Sequence, residues 1–198
     1  GRPKFDFYTG LARIAAAGPL LSTATITALT KPIDWLTGDT LLDADDLDLL
    51  CGPGEDPLRW GAYPMAPYAG RVRNGRFLFG GRPYALPLRA PPHAMHGTTL
   101  DRPWQENDSG SLSIDLGPNW PFPGEARQRF RLDENGLDIE LCVLASGPPF
   151  PASLGLHPWF PRQLTRGGEL TLEFHPHEMY VRDSEGVATA TRCEPTNG

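Results

Sequence analysis

Three clusters of histidine or arginine, each set among prolines, glycines and aromatic residues, contain the side chains most able to do chemistry. The first spans residues 63–77 (YPMAPYAGRVRNGRF) and carries Arg71, Arg73 and Arg76. In a strand, Arg71 and Arg73 share one face and Arg76 lies on the other. One guanidinium turned inward could bind ligand oxygens. The alternative is a solvated edge hairpin whose positive charge opposes aggregation.

The second cluster, residues 91–104 (PPHAMHGTTLDRPW), places His93 and His96 three positions apart in a Pro- and Gly-rich segment. Imidazoles are common zinc ligands, but no cysteine or third histidine follows at the spacing of a zinc finger. A histidine in a loop is also often an ordinary surface or capping residue. The spacing alone therefore leaves both a ligand-binding and a structural interpretation open.

The third cluster, residues 151–161 (PASLGLHPWFP), places His157 at the end of an apolar run, directly before Pro158 and Trp159. An imidazole held against aromatic rings suits a general acid or base near neutral pH. Trp159 offers an apolar face that could stack on the C–H edge of a sugar ring. The structural alternative for His157 is a hydrogen bond to a backbone carbonyl at the end of a strand.

The elements that must position these clusters are predicted to be short β-strands. The chain contains 22 glycines and 22 prolines, which break helices and central strands and favour many turns. We predict a strand–turn–strand unit over 71–79 with Asn74-Gly75 as the turn between two paired strands, and a hairpin around residues 133–136 (DENG). Further strands are predicted at 112–116, 152–156, 169–174 and 179–182.

Together these patterns predict an all-β fold, an antiparallel β-sandwich or barrel, with no helix longer than three turns between residues 56 and 186. The first fifty-odd residues have no clear pattern. The 198 residues suit a single domain, 1–198, and 39% hydrophobic with 21% charged residues is ordinary for a globular protein.

Charge and cysteine content narrow the functional classes. A formal net charge of −6 and the absence of any block of Lys and Arg argue against a nucleic-acid partner. No apolar run reaches 18 residues, so no membrane-spanning helix is expected. Three widely spaced cysteines suggest neither a disulfide framework nor a zinc pair, which favours a reducing, cytoplasmic location.

Taken together, the motifs MAPYAGRVRNGRF, HAMHGTTLDRPW and LGLHPWF, in this order, resemble the aldose 1-epimerase (galactose mutarotase) family. The segment WPFPGEARQRFRLDENGLDIEL is also similar to that family's middle hairpin, and the resemblance covers residues 56–186. It implies the antiparallel supersandwich of galactose mutarotase, expected here to be incomplete at one or both ends. It also implies an enzyme that interconverts the α and β anomers of a free aldohexose without a cofactor or metal.

Carried over by motif, the resemblance gives roles to three residues. It implies that His157 is the general acid, that His96 hydrogen-bonds the sugar near its ring oxygen, and that Arg71 binds the substrate. Trp159 is predicted as a further substrate contact from its residue type and position. His93, Arg73 and Arg76 keep structural interpretations. Many family members carry Asn where this chain has Gly70.

The family's base is a Glu that follows a sugar-binding Asp late in a longer chain, and no residue here is assigned to that role. We therefore expect this chain to bind aldoses but to turn them over poorly. The alternatives are a non-catalytic carbohydrate-binding module of the same fold and a metal-dependent β-barrel enzyme. The unassigned carboxylates are Glu178, Glu185 and Glu194, and the metal alternative would use His93, His96 and His157, or His175 and His177.

Overall fold

The protein is described by a computed structural model that covers residues 51, 56–59, 61–107, 111–133, 136–163 and 178–194. Within these residues the chain forms short antiparallel strands, and its only helical segments are two three-residue 3₁₀ turns. The all-β prediction is therefore confirmed, as is the expectation of no long helix in the described part of 56–186. The expectations for the first fifty residues and for a strand at 169–174 lie outside the described residues.

The strands form five small sheets among the described residues. The pairs are β1 with β10, β2 with β5, β3 with β4, and β11 with β12, while β6, β7, β8 and β9 form one four-stranded sheet in that order. The strands are β1 Ala62–Met65, β2 Arg71–Val72, β3 Arg76–Phe79, β4 Arg82–Ala85, β5 Ala94–Met95, β6 Gln105–Glu106, β7 Ser111–Asp115, β8 Gly124–Asp133, β9 Gly136–Ala145, β10 Gly155–Pro158, β11 Met179–Arg182 and β12 Ala188–Cys193.

The predicted hairpin around residues 133–136 is confirmed and is longer than the sequence indicated. β8 and β9 pair in continuous register from Gly124 opposite Ala145 to Asp133 opposite Gly136. Alternation explains the placement of β8, since Ala126 and Gln128 are buried while Arg127 and Arg129 are exposed.

The prediction that Asn74-Gly75 joins two paired strands is wrong. The turn itself is present, because Asn74 and Gly75 both have positive φ values, 51° and 61°. However, the strands on the two sides of this turn do not pair with each other. β2, before the turn, pairs with β5, and β3, after it, pairs with β4. The true hairpin turn is Gly80-Gly81, a dipeptide that supplies the two positive φ values such a turn requires.

Two apolar clusters support the fold. The larger one packs the inner faces of β7 and β8 against aromatic side chains, among them Tyr68, Trp104 and Trp120. The smaller one contains Tyr63, Met65, Ala69 and Leu100, with Leu58 and Trp159 packed against it. Leu100 comes from residues 91–104, which contain His96, and Trp159 from residues 151–161, which contain His157. Burial of these apolar side chains therefore fixes the two histidine segments relative to each other.

Cys51, Cys142 and Cys193 are free thiols. Among the described residues, no helix is long and apolar enough to cross a membrane. The single-domain assignment for residues 1–198 and the cytoplasmic location stay predictions.

Candidate functional site

His157 is held in a layer of aromatic rings. It lies on β10 directly opposite Tyr63 on β1, so both side chains project from the same face of the pair. The imidazole stacks on the Tyr63 ring at 4.8 Å between centroids and 22° between planes, and on the Trp159 indole at 5.2 Å and 20°. Only 8% of His157 is exposed. Two nearly parallel rings therefore stack on the imidazole and restrict access to its faces.

His96 is fixed by an unusual backbone conformation. Its φ is 59° and that of Gly97 is 85°, so two successive residues adopt left-handed geometry, which is uncommon for a non-glycine residue. The His96 amide donates to the Gly70 carbonyl at 2.9 Å. A Cβ on Gly97 would overlap the carbonyl of Ala66, the residue that follows β1, so only glycine fits at this position. Backbone strain of this kind is typical of functional sites.

Two buried threonines anchor the segment after His96. The Thr98 amide and the Thr99 hydroxyl both donate to the Ala66 carbonyl, at 2.9 and 3.1 Å, while the Thr98 hydroxyl donates to the Leu116 carbonyl at 2.8 Å. Thr99 is fully buried. The M-H-G-T-T-L motif therefore has a structural basis, because both threonine hydroxyls and the Thr98 amide have backbone carbonyl partners.

The two predicted catalytic histidines come together. The rings of His96 and His157 lie 5.5 Å apart with their planes at 79°, and Tyr63 lies 6.1 Å from His96 as well as against His157. His96 is 6% exposed. Three polar rings from distant parts of the chain thus form one buried cluster, which could present two imidazole edges to one small ligand.

Trp159 has one clear role and one that stays a prediction. The indole stacks on His157, and its buried Nε1 has no hydrogen-bond partner in the part of the chain that the structure describes. The stacking fixes the plane of the imidazole. A contact between Trp159 and a sugar, predicted from its type and position, stays a prediction.

Arg71 is close to His96 along the backbone. It pairs with Met95 across β2 and β5, and the next residue, His96, bonds to the carbonyl of Gly70. The half-buried guanidinium donates from Nη1 to the Gly186 carbonyl at 3.4 Å and lines a cleft of about 350 Å³. Within the described residues, no carboxylate forms an ion pair with it. The prediction that Arg71, His96 and His157 reach one sugar stays a prediction.

Gly70 also has a left-handed backbone, with φ 70°. Asn is one of the few residues other than glycine that tolerate this conformation. The difference between Gly70 and the Asn of many family members is therefore compatible with one backbone geometry, although it removes a polar side chain.

Arg73 is engaged in ion pairs. Its guanidinium bonds to both Asp183 and Glu185, in the turn between β11 and β12. The Asp183 carboxylate accepts the amides of Val187 and Glu185, and these bonds, with Arg73, hold the pKa of Asp183 below its usual value. Such contacts agree with a structural role for Arg73.

His93 is buried rather than exposed, at 3%. Its Nδ1 accepts the amide of Asn74 at 3.1 Å, so the neutral ring carries its proton on Nε2. Nε2 lies 3.8 Å from the Glu185 carboxylate. No group of three His, Cys, Asp or Glu side chains in the described part of the chain could hold a metal ion, and His175 and His177 lie outside it.

Sequence reasoning missed two participants. Tyr63 lies in the first cluster, but its contact with His157 follows only from the register of β1 against β10. Glu185 was left unassigned, and the structure puts it in the wall of the cleft beside Arg71. The available signal in the sequence was a carboxylate, Glu185, next to a turn glycine, Gly186. That signal does not indicate which part of the fold the turn packs against.

Comparisons with known proteins agree with this fold. The chain matches the family model for aldose 1-epimerase over residues 27–196. It is 25% identical over 147 residues to the uncharacterized protein YihR of Escherichia coli K12, a match covering 69% of this chain and 48% of YihR. It is 29% identical over 105 residues to the uncharacterized protein YphB of the same organism, covering 50% of this chain and 36% of YphB.

A solved structure shares the architecture. The crystal structure of a candidate aldose 1-epimerase from Escherichia coli K12 superposes with a TM-score of 0.56 at 23% identity, covering 76% of this chain and 53% of that protein. The chain thus spans about half, or less, of the length of the relatives it matches. Because the family model matches most of the chain, the protein belongs to the aldose 1-epimerase family.

Proposed function

We propose that the protein is an aldose 1-epimerase that interconverts the α and β anomers of a free aldohexose, and that His157 is its general acid. The observation that carries the proposal is the buried pair of imidazoles, His96 and His157, whose rings lie 5.5 Å apart. Family membership supplies the reaction class. The chemistry of a hemiacetal determines the protonation steps that the enzyme must provide.

Mutarotation requires one proton to leave and another to arrive. A base takes the proton of the anomeric hydroxyl, the O–H electron pair forms the C1=O bond, and the C1–O5 bond breaks. O5 takes its proton from His157, so no free alkoxide forms. Rotation about C1–C2 then exposes the other face of the aldehyde, and the same transfers in reverse close the ring as the opposite anomer.

The aromatic layer suits His157 to this role. Stacking on Tyr63 and Trp159 holds the imidazole plane, so the donor nitrogen keeps one direction during the reaction. A fixed donor at hydrogen-bond distance from the ring oxygen lowers the entropic cost of the proton transfer. His96, rigidly held by its left-handed backbone, would bond to the sugar near the same oxygen.

Arg71 would bind sugar hydroxyls, since its guanidinium has no carboxylate partner among the described residues and lines an open cleft. Trp159 would contact the sugar through the part of the indole that His157 leaves uncovered. The base stays unassigned. A non-catalytic carbohydrate-binding protein of the same fold would share the binding groups and lack the turnover.

Nuclear magnetic resonance separates the two functions in one sample. Saturating the anomeric proton of α-D-galactose or α-D-glucose transfers saturation to the β anomer only if the protein interconverts them faster than buffer does. We expect such transfer, at catalytic concentration, from the full-length protein, meaning a protein that also includes the base carboxylate of the family. Line broadening of the sugar without exchange between anomers would instead support the carbohydrate-binding protein, and no effect of either kind would contradict both.

A further inference from the structure

The cleft beside Arg71 has a composition suited to a sugar. Its lining combines the largely apolar segment Ala90 to Pro92 with charged groups. Its volume of about 350 Å³ is at the small end of the range for small-molecule sites, about 300–1,000 Å³. The lining residues are Arg71, Ala90, Pro91, Pro92, His93 and Glu185.

Arg71 and Glu185 line this cleft without bonding to each other. Glu185 is held by Arg73, and Arg71 donates to the carbonyl of Gly186. A guanidinium only donates hydrogen bonds and a carboxylate only accepts them, whereas each sugar hydroxyl does both. Two such groups on one cleft therefore complement neighbouring hydroxyls of a neutral polyol, through charge-assisted hydrogen bonds.

His93 supplies the second, independent observation. Its Nε2 is buried and has no hydrogen-bond partner among the described residues, although it carries the proton of the neutral ring. Burying a donor without a partner is unfavourable. The nearest carboxylate oxygen is Oε1 of Glu185 at 3.8 Å, while Arg73 bonds to Oε2. A movement of Glu185 by about 1 Å would complete an ordinary hydrogen bond.

We propose that Glu185 and Arg71 form a hydroxyl-binding pair of the aldose site, in which Glu185 accepts from one sugar hydroxyl, Arg71 donates to its neighbour, and His93 positions the Glu185 carboxylate. The inference rests on the proposed function in that the ligand is an aldose. It gives Glu185 a binding role and not that of the missing base.

The turn that carries Glu185 is built to present it. Asp183 closes the turn by accepting the amides of Glu185 and Val187, at 2.9 and 3.0 Å, and Val187 is buried. Glycine is favoured at position 186, because its φ of 74° is a conformation that residues with a side chain rarely adopt. The backbone therefore brings Glu185 and the Arg71 partner carbonyl to the cleft as one unit.

The first test compares two exposed glutamates that each pair with an arginine. Glu185 bonds to Arg73, and its control Glu178 bonds to Arg192 away from the cleft, with side-chain exposures of 49% and 45%. Dissociation constants for D-galactose and D-glucose are measured by sugar titration on the full-length protein. We expect Glu185→Ala to weaken binding about 10-fold and Glu178→Ala to leave it within about 2-fold. Equal affinities in both variants would overturn the inference.

The second test separates the two nitrogens of His93. In His93→Gln the amide nitrogen replaces Nε2, so the donor toward Glu185 is retained and the bond from Asn74 is lost. His93→Asn does the reverse. If His93 positions Glu185, His93→Asn weakens sugar binding about 3–10-fold and His93→Gln restores it. The opposite order of affinities would mean that His93 only supports the Asn74 turn, and would overturn its proposed role.

These outcomes are distinct from failure of the proposed function. If the wild-type protein interconverts anomers but Glu185→Ala binds sugar as tightly as wild type, the inference is wrong and the epimerase stands. If the wild-type protein binds neither sugar, both are wrong.

Discussion

The imidazole rings of His96 and His157 lie 5.5 Å apart, one edge-on to the other, although they belong to distant parts of the chain. Tyr63 connects them, because its ring contacts both. β1 therefore positions both histidines. Tyr63 lies opposite His157 in the pairing of β1 with β10, and the carbonyl of Ala66, just after β1, accepts the amide of Thr98 in the segment that follows His96.

The contact between Gly97 and Ala66 predicts a stability effect. Gly97→Ala introduces both a side chain at a φ of 85° and a clash with the Ala66 carbonyl. We expect the free energy of unfolding to fall by about 3 kcal/mol or more, because backbone must move to relieve the overlap. Urea denaturation followed by tryptophan fluorescence measures this change.

Gly81→Ala is the matched control. Gly81 has a φ of 73° but no heavy atom within 4 Å of the position of a Cβ, so only the conformational cost applies. That cost is about 1–2 kcal/mol. A Gly97→Ala protein no less stable than Gly81→Ala would show that the close approach to Ala66 is absent in solution.

The burial of Tyr68 predicts that the protein loses stability at alkaline pH. Burial raises its pKa to about 12 from an ordinary value of 10.0, while Arg89 and the Gly97 amide oppose this shift. Since the unfolded chain loses the tyrosine proton first, stability falls as pH rises from about 10 to 12. The shift in the pKa corresponds to a total loss of about 2–3 kcal/mol in the free energy of unfolding.

Tyr68→Phe is expected to remove this part of the pH dependence while lowering stability at neutral pH, because the Gly97 amide then loses its oxygen partner. Urea midpoints at pH 9 and 11 give the comparison. An identical change between the two pH values in both proteins would exclude Tyr68 as the group responsible.

Two substitutions at Trp159 are expected to separate its effect on kcat from its effect on KM. Trp159→Phe keeps an aromatic ring against His157, so we expect kcat within about 3-fold of wild type. Trp159→Leu removes the stack that fixes the imidazole, and kcat should fall about 10-fold or more, since misaligned proton donors are costly. A rise in KM in either variant would report loss of a sugar contact. An unchanged kcat in Trp159→Leu would mean that the stack does not orient His157.

The sequence predicted the fold class and much of the strand pattern for physical reasons that are local. The DENG sequence between the runs 128–132 and 137–141 was sufficient for the longest hairpin, although the pairing extends further along both strands. Pairing was predicted wrongly at Asn74-Gly75, because a turn dipeptide fixes a change of direction but not the partners of the strands on either side.

The site was only partly predictable. His96 and His157 were identifiable from motif and residue type, but their proximity depends on β1 pairing with a strand far along the chain. The burial of His93 and the facing of Glu185 toward Arg71 depend on long-range packing of the β11–β12 turn, for which one sequence contains no local signal.

The central claim is that His157 delivers the proton to the ring oxygen. The most direct measurement is polarimetry of fresh α-D-glucose and α-D-galactose with the full-length wild type, His157→Asn and His96→Asn, each corrected for the rate in buffer. Loss of the acid removes stabilisation that arises in the transition state, so His157→Asn should lower kcat about 10²–10⁴-fold with little change in KM. His96→Asn should cost only about 10–100-fold, because its hydrogen bond also stabilises the bound ground state. A His157→Asn enzyme that retains the wild-type kcat would contradict the account.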